Sequence, residues 1–287
     1  MSNGTSGKKT VLITGTSSGV GLASAISFAA SGYNTVATMR DISKRDGLEQ
    51  AAAKAGVSLD IRSLDVEHPE AGQTCIKQIV DIYGRLDVLV NNAGAGYLGS
   101  IEQTSDADLR RIMEVNFFGV WNLTKAAIPI MRQQGSGRII TVTSVGGLLG
   151  QPFNEAYCAA KFAVEGMMEG FAPLARRMGI HVSLIEPGPI NTEFVSNVRA
   201  TSGPTLVALV PPYDRFLSHY MAASGNVFSQ YGQTGAEIAA FILQAAQADQ
   251  PHLRYVTSEF ARKTVSPKVT DFDGDAVVEA FAARLGN

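Results

Sequence analysis

At 287 residues, 45% of them hydrophobic, the chain can bury a large core, and no Pro/Gly/Ser-rich linker interrupts its pattern before about residue 200, so a single domain spanning 1–287 is expected. A net charge of −2 without a basic stripe argues against nucleic acid as a partner. Two cysteines, Cys75 and Cys158, make no disulfide framework, and four dispersed histidines (His68, His181, His219, His252) make no ligand cluster, so no metal is expected.

Periodicity predicts strands over 10–14, 34–39, 58–62, 86–90, 138–143, 180–185 and 253–257. Helices are predicted over 19–31, 44–55, 69–83, 105–134, 154–177 and 234–247. This alternation implies an α/β fold: a doubly wound parallel sheet with helices on both faces. Residues 1–9 read as a loose polar tail. No apolar run reaches the ~18 residues of a membrane span, and no targeting signal stands out, so a cytoplasmic protein with reduced thiols is expected.

The first strand, Val11-Leu-Ile-Thr14, runs into Gly15-Thr-Ser-Ser-Gly19-Val-Gly21 and then into a helical pattern. Strand, glycine turn and helix together place a pyrophosphate on free N–H groups, as in a Rossmann-like nucleotide site. Gly15 suits the tight turn, while Gly19 and Gly21 allow close backbone approach. The second strand ends Met39-Arg40-Asp41, where a carboxylate would meet a ribose hydroxyl and an Arg would accept a 2′-phosphate. Arg40 favours NADP(H), with NAD the alternative, because Arg is the bidentate phosphate ligand.

Asn116 lies in an apolar helical stretch, where an unpaired amide is costly. Further on, Ser144 follows a predicted strand, and Tyr157 and Lys161 share one helix face a turn apart. An ammonium beside a phenol favours the phenolate, so the Tyr157 pKa is expected below its usual ~10. Beyond the pair, Pro173 is expected to kink or break the helix. The surplus apolar face of Phe162, Val164, Met167, Met168 and Phe171 suits either core packing or a second subunit.

The 190–231 segment, with Pro204, Pro211, Pro212, Phe216, Tyr220 and Phe228, is rich in loop residues and is expected to form a helical lid over a hydrophobic substrate. A tail from about 259 carries a short helical pattern at Val277, Val278 and Phe281 and would cover the pocket mouth. Gly15, Asn91, Ser144 and Pro187 each directly follow a predicted strand, so four motifs land on one sheet edge.

The order and spacing of Thr14-Gly-Thr-Ser-Ser-Gly-Val-Gly21, Leu64-Asp65-Val66, Asn91-Asn-Ala-Gly94, Asn116, Ser144, Tyr157-Cys-Ala-Ala-Lys161 and Pro187-Gly188 with Thr192 resemble the short-chain dehydrogenase/reductase family over nearly the whole chain. The resemblance implies a nicotinamide dinucleotide held by Gly15, Ser17, Ser18, Gly19, Val20, Gly21 and Arg40. Asp65 and Val66 would take its adenine, with Asn92, Ala93 and Gly94 lining it. Tyr157, Lys161, Pro187, Gly188, Ile190 and Thr192 would hold the nicotinamide half. It implies a catalytic set of Asn116, Ser144, Tyr157 and Lys161, in which Asn116 binds a relay water. A homodimer or homotetramer built on helices 105–134 and 154–177 is implied too.

Within the family, the stretch from Ser144 to Gly166, Asn226-Val-Phe-Ser and Pro251-His-Leu-Arg-Tyr-Val-Thr-Ser are similar to the 17-beta-hydroxysteroid and retinol dehydrogenases. That similarity implies a substrate pocket at Ser144, Val145, Leu149, Asn154, Tyr157, Pro189, Tyr220, Val227, Phe228 and Phe260. A steroid-recognising His falls at Ala223 here, one helical turn after His219. The expected reaction is NADP(H)-dependent interconversion of a secondary alcohol and a ketone on a bulky hydrophobic molecule, foremost a 17-beta-hydroxysteroid of the estradiol/estrone type. Retinol oxidation and general lipophilic carbonyl reduction are the alternatives, and a nucleotide sensor without turnover is the reading from another class.

Overall fold

The computed structural model describes residues 7–192, 198, 202, 209–270 and 283. Seven strands, β1 (Thr10–Thr14), β2 (Asn34–Met39), β3 (Asp60–Ser63), β4 (Val88–Asn91), β5 (Gly137–Val142), β6 (Ile180–Glu186) and β7 (Arg254–Val256), form one sheet in the order β3-β2-β1-β4-β5-β6-β7. Every pairing is parallel. The helices are α1 (Gly19–Ala30), α2 (Asp46–Ala55), α3 (Pro69–Tyr83), α4 (Asp106–Met113), α5 (Gly119–Gln134), α6 (Glu155–Arg177), α7 (Tyr213–Tyr231), α8 (Gly235–Gln247) and α9 (Glu259–Thr270).

The two-residue period of the strands explains the layers. Leu12, Leu89, Ile139, Val182 and Leu184 pack with Ile76 and Ile79 of α3, Leu123 and Met131 of α5, and Val164 and Met168 of α6. Their neighbours Val11, Ile13, Val88, Val90, Ile140 and Ile185 point the other way, against Phe28 of α1, Leu48 of α2 and Ile238 and Ile242 of α8. Both faces are covered, so the central strands read as continuous apolar runs. Strand order reverses between β1 and β4, the kind of switch point at whose carboxyl ends open parallel sheets bind ligands.

Three expectations are corrected. The helix expected over 105–134 is interrupted: α4 and α5 flank one π-helical turn, Glu114–Phe118, centred on Asn116. Widening the backbone there makes room for the fully buried Asn116 amide, which donates to the Ile112 and Ala95 carbonyls at 3.0 and 2.8 Å. Pro173 does not end α6, which continues to Arg177. Within the expected helical lid, Tyr213–Tyr231 form a 19-residue helix, α7, whose Leu217 and Tyr220 pack on Leu98 and Phe153. A further helix, α9, occupies Glu259–Thr270 in the expected tail. Lid positions 193–197, 199–201 and 203–208, and the tail pattern at Val277, Val278 and Phe281, lie outside the described residues.

Among the described residues no helix is long and apolar enough to cross a membrane, and no group of three or more metal-ligating side chains is found. Leu89 lies at the middle of the sheet with no exposed surface. Leu89→Ala removes that packing and leaves a cavity, so a loss of about 2–5 kcal/mol in unfolding free energy is expected by denaturant titration. A loss below about 1 kcal/mol would contradict this core assignment.

Candidate active site

The glycine turn after β1 is built by close approach. Gly15 has φ +70°, and a Cβ there would stand 2.8 Å from the Ala93 backbone. A Cβ on Gly21 would fall 2.1 Å from the Gly15 carbonyl oxygen and 2.5 Å from Asn92 Nδ2. Asn92 fastens the turn from β4's end, donating to the Thr14 and Gly15 carbonyls at 2.8 and 3.0 Å. The Thr14 hydroxyl accepts from the Asn92 and Ala93 backbone N–H groups, both at 3.0 Å. Thr14 is thus a bracing residue that the sequence reading passed over; its signal was a hydroxyl at the end of an apolar strand.

A groove of about 420 Å³ joins Ser17, Ser18, Gly19 and Leu22 to Asn191 and Thr192. Thr192 sits over the turn, 3.3 Å from where a Gly19 Cβ would be. Val20 is buried in the core beneath. The glycine cradle and the N-terminus of α1 can therefore receive a pyrophosphate, and the groove runs toward the segment after β6. Ile190 bridges Gln233 there, and the Pro189 carbonyl accepts from the Gln233 N–H at 2.9 Å.

At the end of β2, Arg40 is exposed and its guanidinium lies 3.7 Å from Glu67. The Asp41 carboxylate is turned to its own chain, accepting from the Ser43 N–H at 3.0 Å and the Ser43 hydroxyl at 2.6 Å. These bonds hold its pKa below the usual carboxylate value. The Asp65 carboxylate accepts from Glu67 N–H at 3.1 Å, while Val66 packs where a Gly119 Cβ would stand.

The reactive side chains gather at the ends of β4 and β5 and the start of α6. Ser144 accepts from the Gly146 N–H at 3.0 Å and is hydrogen-bonded to the Tyr157 phenol. Lys161 is 5% exposed; its Nζ donates to the Val142 carbonyl at 3.0 Å and lies 5.7 Å from the Tyr157 ring centre. Gly94 faces both Lys161 Nζ and Asn116 Oδ1, at 3.6 and 3.0 Å from a built Cβ. Asn116 Oδ1 accepts from the Ala95 N–H at 3.2 Å. The four expected catalytic residues thus converge, and Gly94 shares their space.

The electrostatics differ from the expectation. Tyr157 keeps part of its surface open, yet burial of its hydroxyl end raises the phenol pKa, and the Ser144 hydrogen bond only partly offsets this. Burial also lowers Lys161 to about 8, against the pull of Glu165. Desolvation, which penalises both charged forms, outweighs the ammonium's effect on the phenol in this arrangement.

The expected substrate positions divide. Asn154 Nδ2 donates to Tyr220 Oη at 3.1 Å, tying the start of α6 to α7, and Phe153 beside it holds φ +61°. Phe260 lies 3.8 Å from a built Gly188 Cβ and stacks on Tyr231 at 4.4 Å. The Pro187 carbonyl accepts from the Val145 N–H at 3.0 Å. Val145 and Leu149 are buried against Ala261 and Val265 of α9. Val227 and Phe228 are half-buried on α7, whereas His219 is exposed, its Nδ1 3.0 Å from the Arg215 carbonyl. Two buried carboxylates behind the site, Glu165 and Glu186, were missed; their signal was an acid inside an apolar helix face and another ending an apolar strand.

The chain matches the family model described as short chain dehydrogenase over residues 9–203. It is 37% identical to human 17-beta-hydroxysteroid dehydrogenase type 1 over 278 residues, covering 94% of this chain and 84% of that protein. It is 38% identical to retinol dehydrogenase 8 of Bos taurus over 285 residues, covering 96% and 90%. A crystal structure of a short-chain dehydrogenase from Streptomyces avermitilis superposes with a TM-score of 0.75 at 28% identity, covering 99% of this chain and all of that one.

Gly21→Ala forces a methyl into the Gly15 carbonyl. Dinucleotide affinity measured by calorimetry is expected to fall at least about tenfold, the equivalent of ~1.4 kcal/mol. Unaltered affinity would remove the cradle from the binding site.

Proposed function

The chain belongs to the short-chain dehydrogenase family and is an oxidoreductase, and we propose that it interconverts a secondary alcohol and a ketone on a bulky hydrophobic substrate with NADP(H), a 17-beta-hydroxysteroid being the foremost class. One observation carries the reading. The Ser144–Tyr157 hydrogen bond, backed by the Lys161 amine, lies on the same sheet edge as the glycine cradle.

When bound, the dinucleotide supplies the hydride acceptor or donor. Tyr157 Oη takes the alcohol proton in oxidation and returns it in reduction. The Ser144 hydroxyl donates to the substrate oxygen as negative charge develops there. Lys161 Nζ, held by the Val142 carbonyl, stabilises the phenolate when the proton leaves. Asn116, anchored in its π-helical turn, fixes the backbone that faces Lys161 across Gly94.

NADP(H) is favoured because Arg40 projects into solvent beside β2's end while Asp41, the competing carboxylate, is occupied by Ser43. The steroid class follows the resemblance to human 17-beta-hydroxysteroid dehydrogenase type 1. A second reading, a retinoid or other lipophilic substrate, is favoured by Ala223 standing where a steroid-reading His is expected, with His219 facing solvent. A homodimer or homotetramer is supported by exposed Phe118 and Trp121 at the start of α5 and Phe162 and Leu174 on α6.

A cofactor-oxidation assay with hydroxysteroids, retinol and simple aromatic alcohols is expected to show steroid turnover with NADP⁺; binding without any turnover would defeat the reading. Tyr157→Phe is expected to abolish turnover with the cofactor dissociation constant nearly unchanged, and retained wild-type kcat would reassign the acid/base. Arg40→Asp is expected to shift the ratio of kcat/KM for the two cofactors toward NAD, and an unmoved ratio would remove Arg40 as the selector.

A further inference from the structure

Behind the catalytic residues lies a buried charge cluster that the reaction as described does not use. Glu165 is one helical turn after Lys161 on α6, and Glu186 is the last residue of β6. Their side chains are 6% and 0% exposed. Arg254, the first residue of β7, reaches both: Nη2 lies 3.2 Å from Glu165 Oε2 and Nε lies 3.0 Å from Glu186 Oε1. Arg254 Nη2 is also shared with the exposed Glu169 at 2.7 Å.

The count of charges does not balance if both buried acids are ionised. One guanidinium, itself a third exposed and partly drawn to Glu169, faces two carboxylates that are both buried. No N–H or O–H is aligned on either Glu186 oxygen, and the carboxyl within hydrogen-bond reach is Glu165. Carboxylates cannot donate, so a hydrogen bond between the two requires that one keep its proton. Among the described residues the charged groups facing the pair are Lys161 and Glu169 from α6 and Arg254 from β7; β5 offers only the Thr143 hydroxyl.

The cluster is fastened to the catalytic edge at each end. The Thr143 hydroxyl donates to Glu165 Oε1 at 2.7 Å, and Thr143 lies between Val142, whose carbonyl holds Lys161 Nζ, and Ser144. Glu186 directly precedes Pro187, whose carbonyl accepts from Val145 N–H at 3.0 Å. Gly147 closes the gap, since a Cβ there would lie 2.9 Å from Glu165 Cγ and 3.2 Å from the Lys161 carbonyl.

We propose that Glu165, Glu186 and Arg254 are positioning residues for Lys161: the two carboxyls share one proton, and the resulting neutral cluster keeps the Lys161 ammonium directed at Tyr157 rather than back along its own helix. This rests on the hydride-transfer reading above. Loss of the shared proton sets a second negative charge behind Lys161 and loosens the β5–β6 contact under Ser144. Burial together with Glu165 pushes Glu186 up to about 8 from its ordinary 4.5. The folded chain therefore holds this proton more tightly than the unfolded chain. Its contribution is complete below about pH 4.5 and is lost progressively as pH rises to about 8.

Two measurements on the full chain test the proposal. Denaturant unfolding of wild type and Glu186→Gln is compared at about pH 5.5 and about pH 8.5. The variant, which cannot lose the proton, is expected to gain stability relative to wild type at the higher pH, and a gap that does not move overturns the shared proton. In the second measurement, kcat is followed from about pH 6 to about pH 9 with an alcohol that wild type oxidises, and the ratio of variant to wild type is expected to rise about threefold or more. A flat ratio alongside a moving stability gap marks a merely structural cluster and overturns the positioning role. Glu165→Gln, which also leaves a single carboxyl, carries the same expectations if Glu186→Gln does not fold. If wild type oxidises no alcohol, the functional reading fails, and the unfolding comparison still decides whether the proton is shared.

Discussion

A lysine amine taken almost entirely out of water sets the terms for the rest of this structure. Lys161 has one described hydrogen-bond acceptor, the Val142 carbonyl, and burial has already lowered its pKa to about 8. Such a group is expensive to bury and is tolerated where surrounding dipoles and charges are fixed. Its neighbours meet that demand: Asn116 is locked by a π-helical turn, Gly94 leaves room, and Glu165 sits one turn behind. The same desolvation raises the Tyr157 phenol, so the phenol keeps its proton until a bound ligand changes the local charge.

The sheet brings these parts together. Four strand ends, those of β1, β4, β5 and β6, deliver the glycine cradle, the Asn92–Gly94 wall, Ser144 and the Pro187 turn to one edge. Their spacing is set by parallel register, in which Leu12 pairs with Leu89, Leu89 with Ile139 and Ile139 with Val182. Close packing then leaves little tolerance. The Gly21 position is filled on two sides by the Gly15 carbonyl and the Asn92 amide. The glycine turn and the space around Lys161 and Asn116 are therefore joined through three consecutive residues, Asn92 and Ala93 on the turn side and Gly94 on the other.

The substrate side obeys a different physics. α7 and α9 bury Tyr220, Leu217, Ala261 and Val265 in two small apolar clusters apart from the main core layers. These satellite clusters underlie the elements that carry Tyr220, Val227, Phe228 and Phe260 of the proposed substrate pocket. The Asn154–Tyr220 hydrogen bond is a polar tie between α7 and the N-cap of the helix that carries Tyr157.

The amino-acid sequence alone determined the layer architecture, the glycine turn and the Ser144, Tyr157 and Lys161 constellation, because each depends on a local period or a short spacing: alternation along strands, a turn's tolerance for φ > 0, one helical turn between Tyr157 and Lys161. It gave no warning that 105–134 would be broken at Asn116, since that turn answers to carbonyls of Ala95 and Ile112, one of them 21 residues away. The bounds of α7 within the expected helical lid were not legible, because Pro211, Pro212 and Gly225 carry the local signal while packing on Leu98 and Phe153 decides the outcome. Nor could spacing reveal the direction of the Tyr157 and Lys161 shifts or the meeting of Glu165, Glu186 and Arg254. Those depend on how much water is excluded and on which charges from α6, β6 and β7 come within a few ångströms, quantities that exist only once the sheet and its helices have closed together.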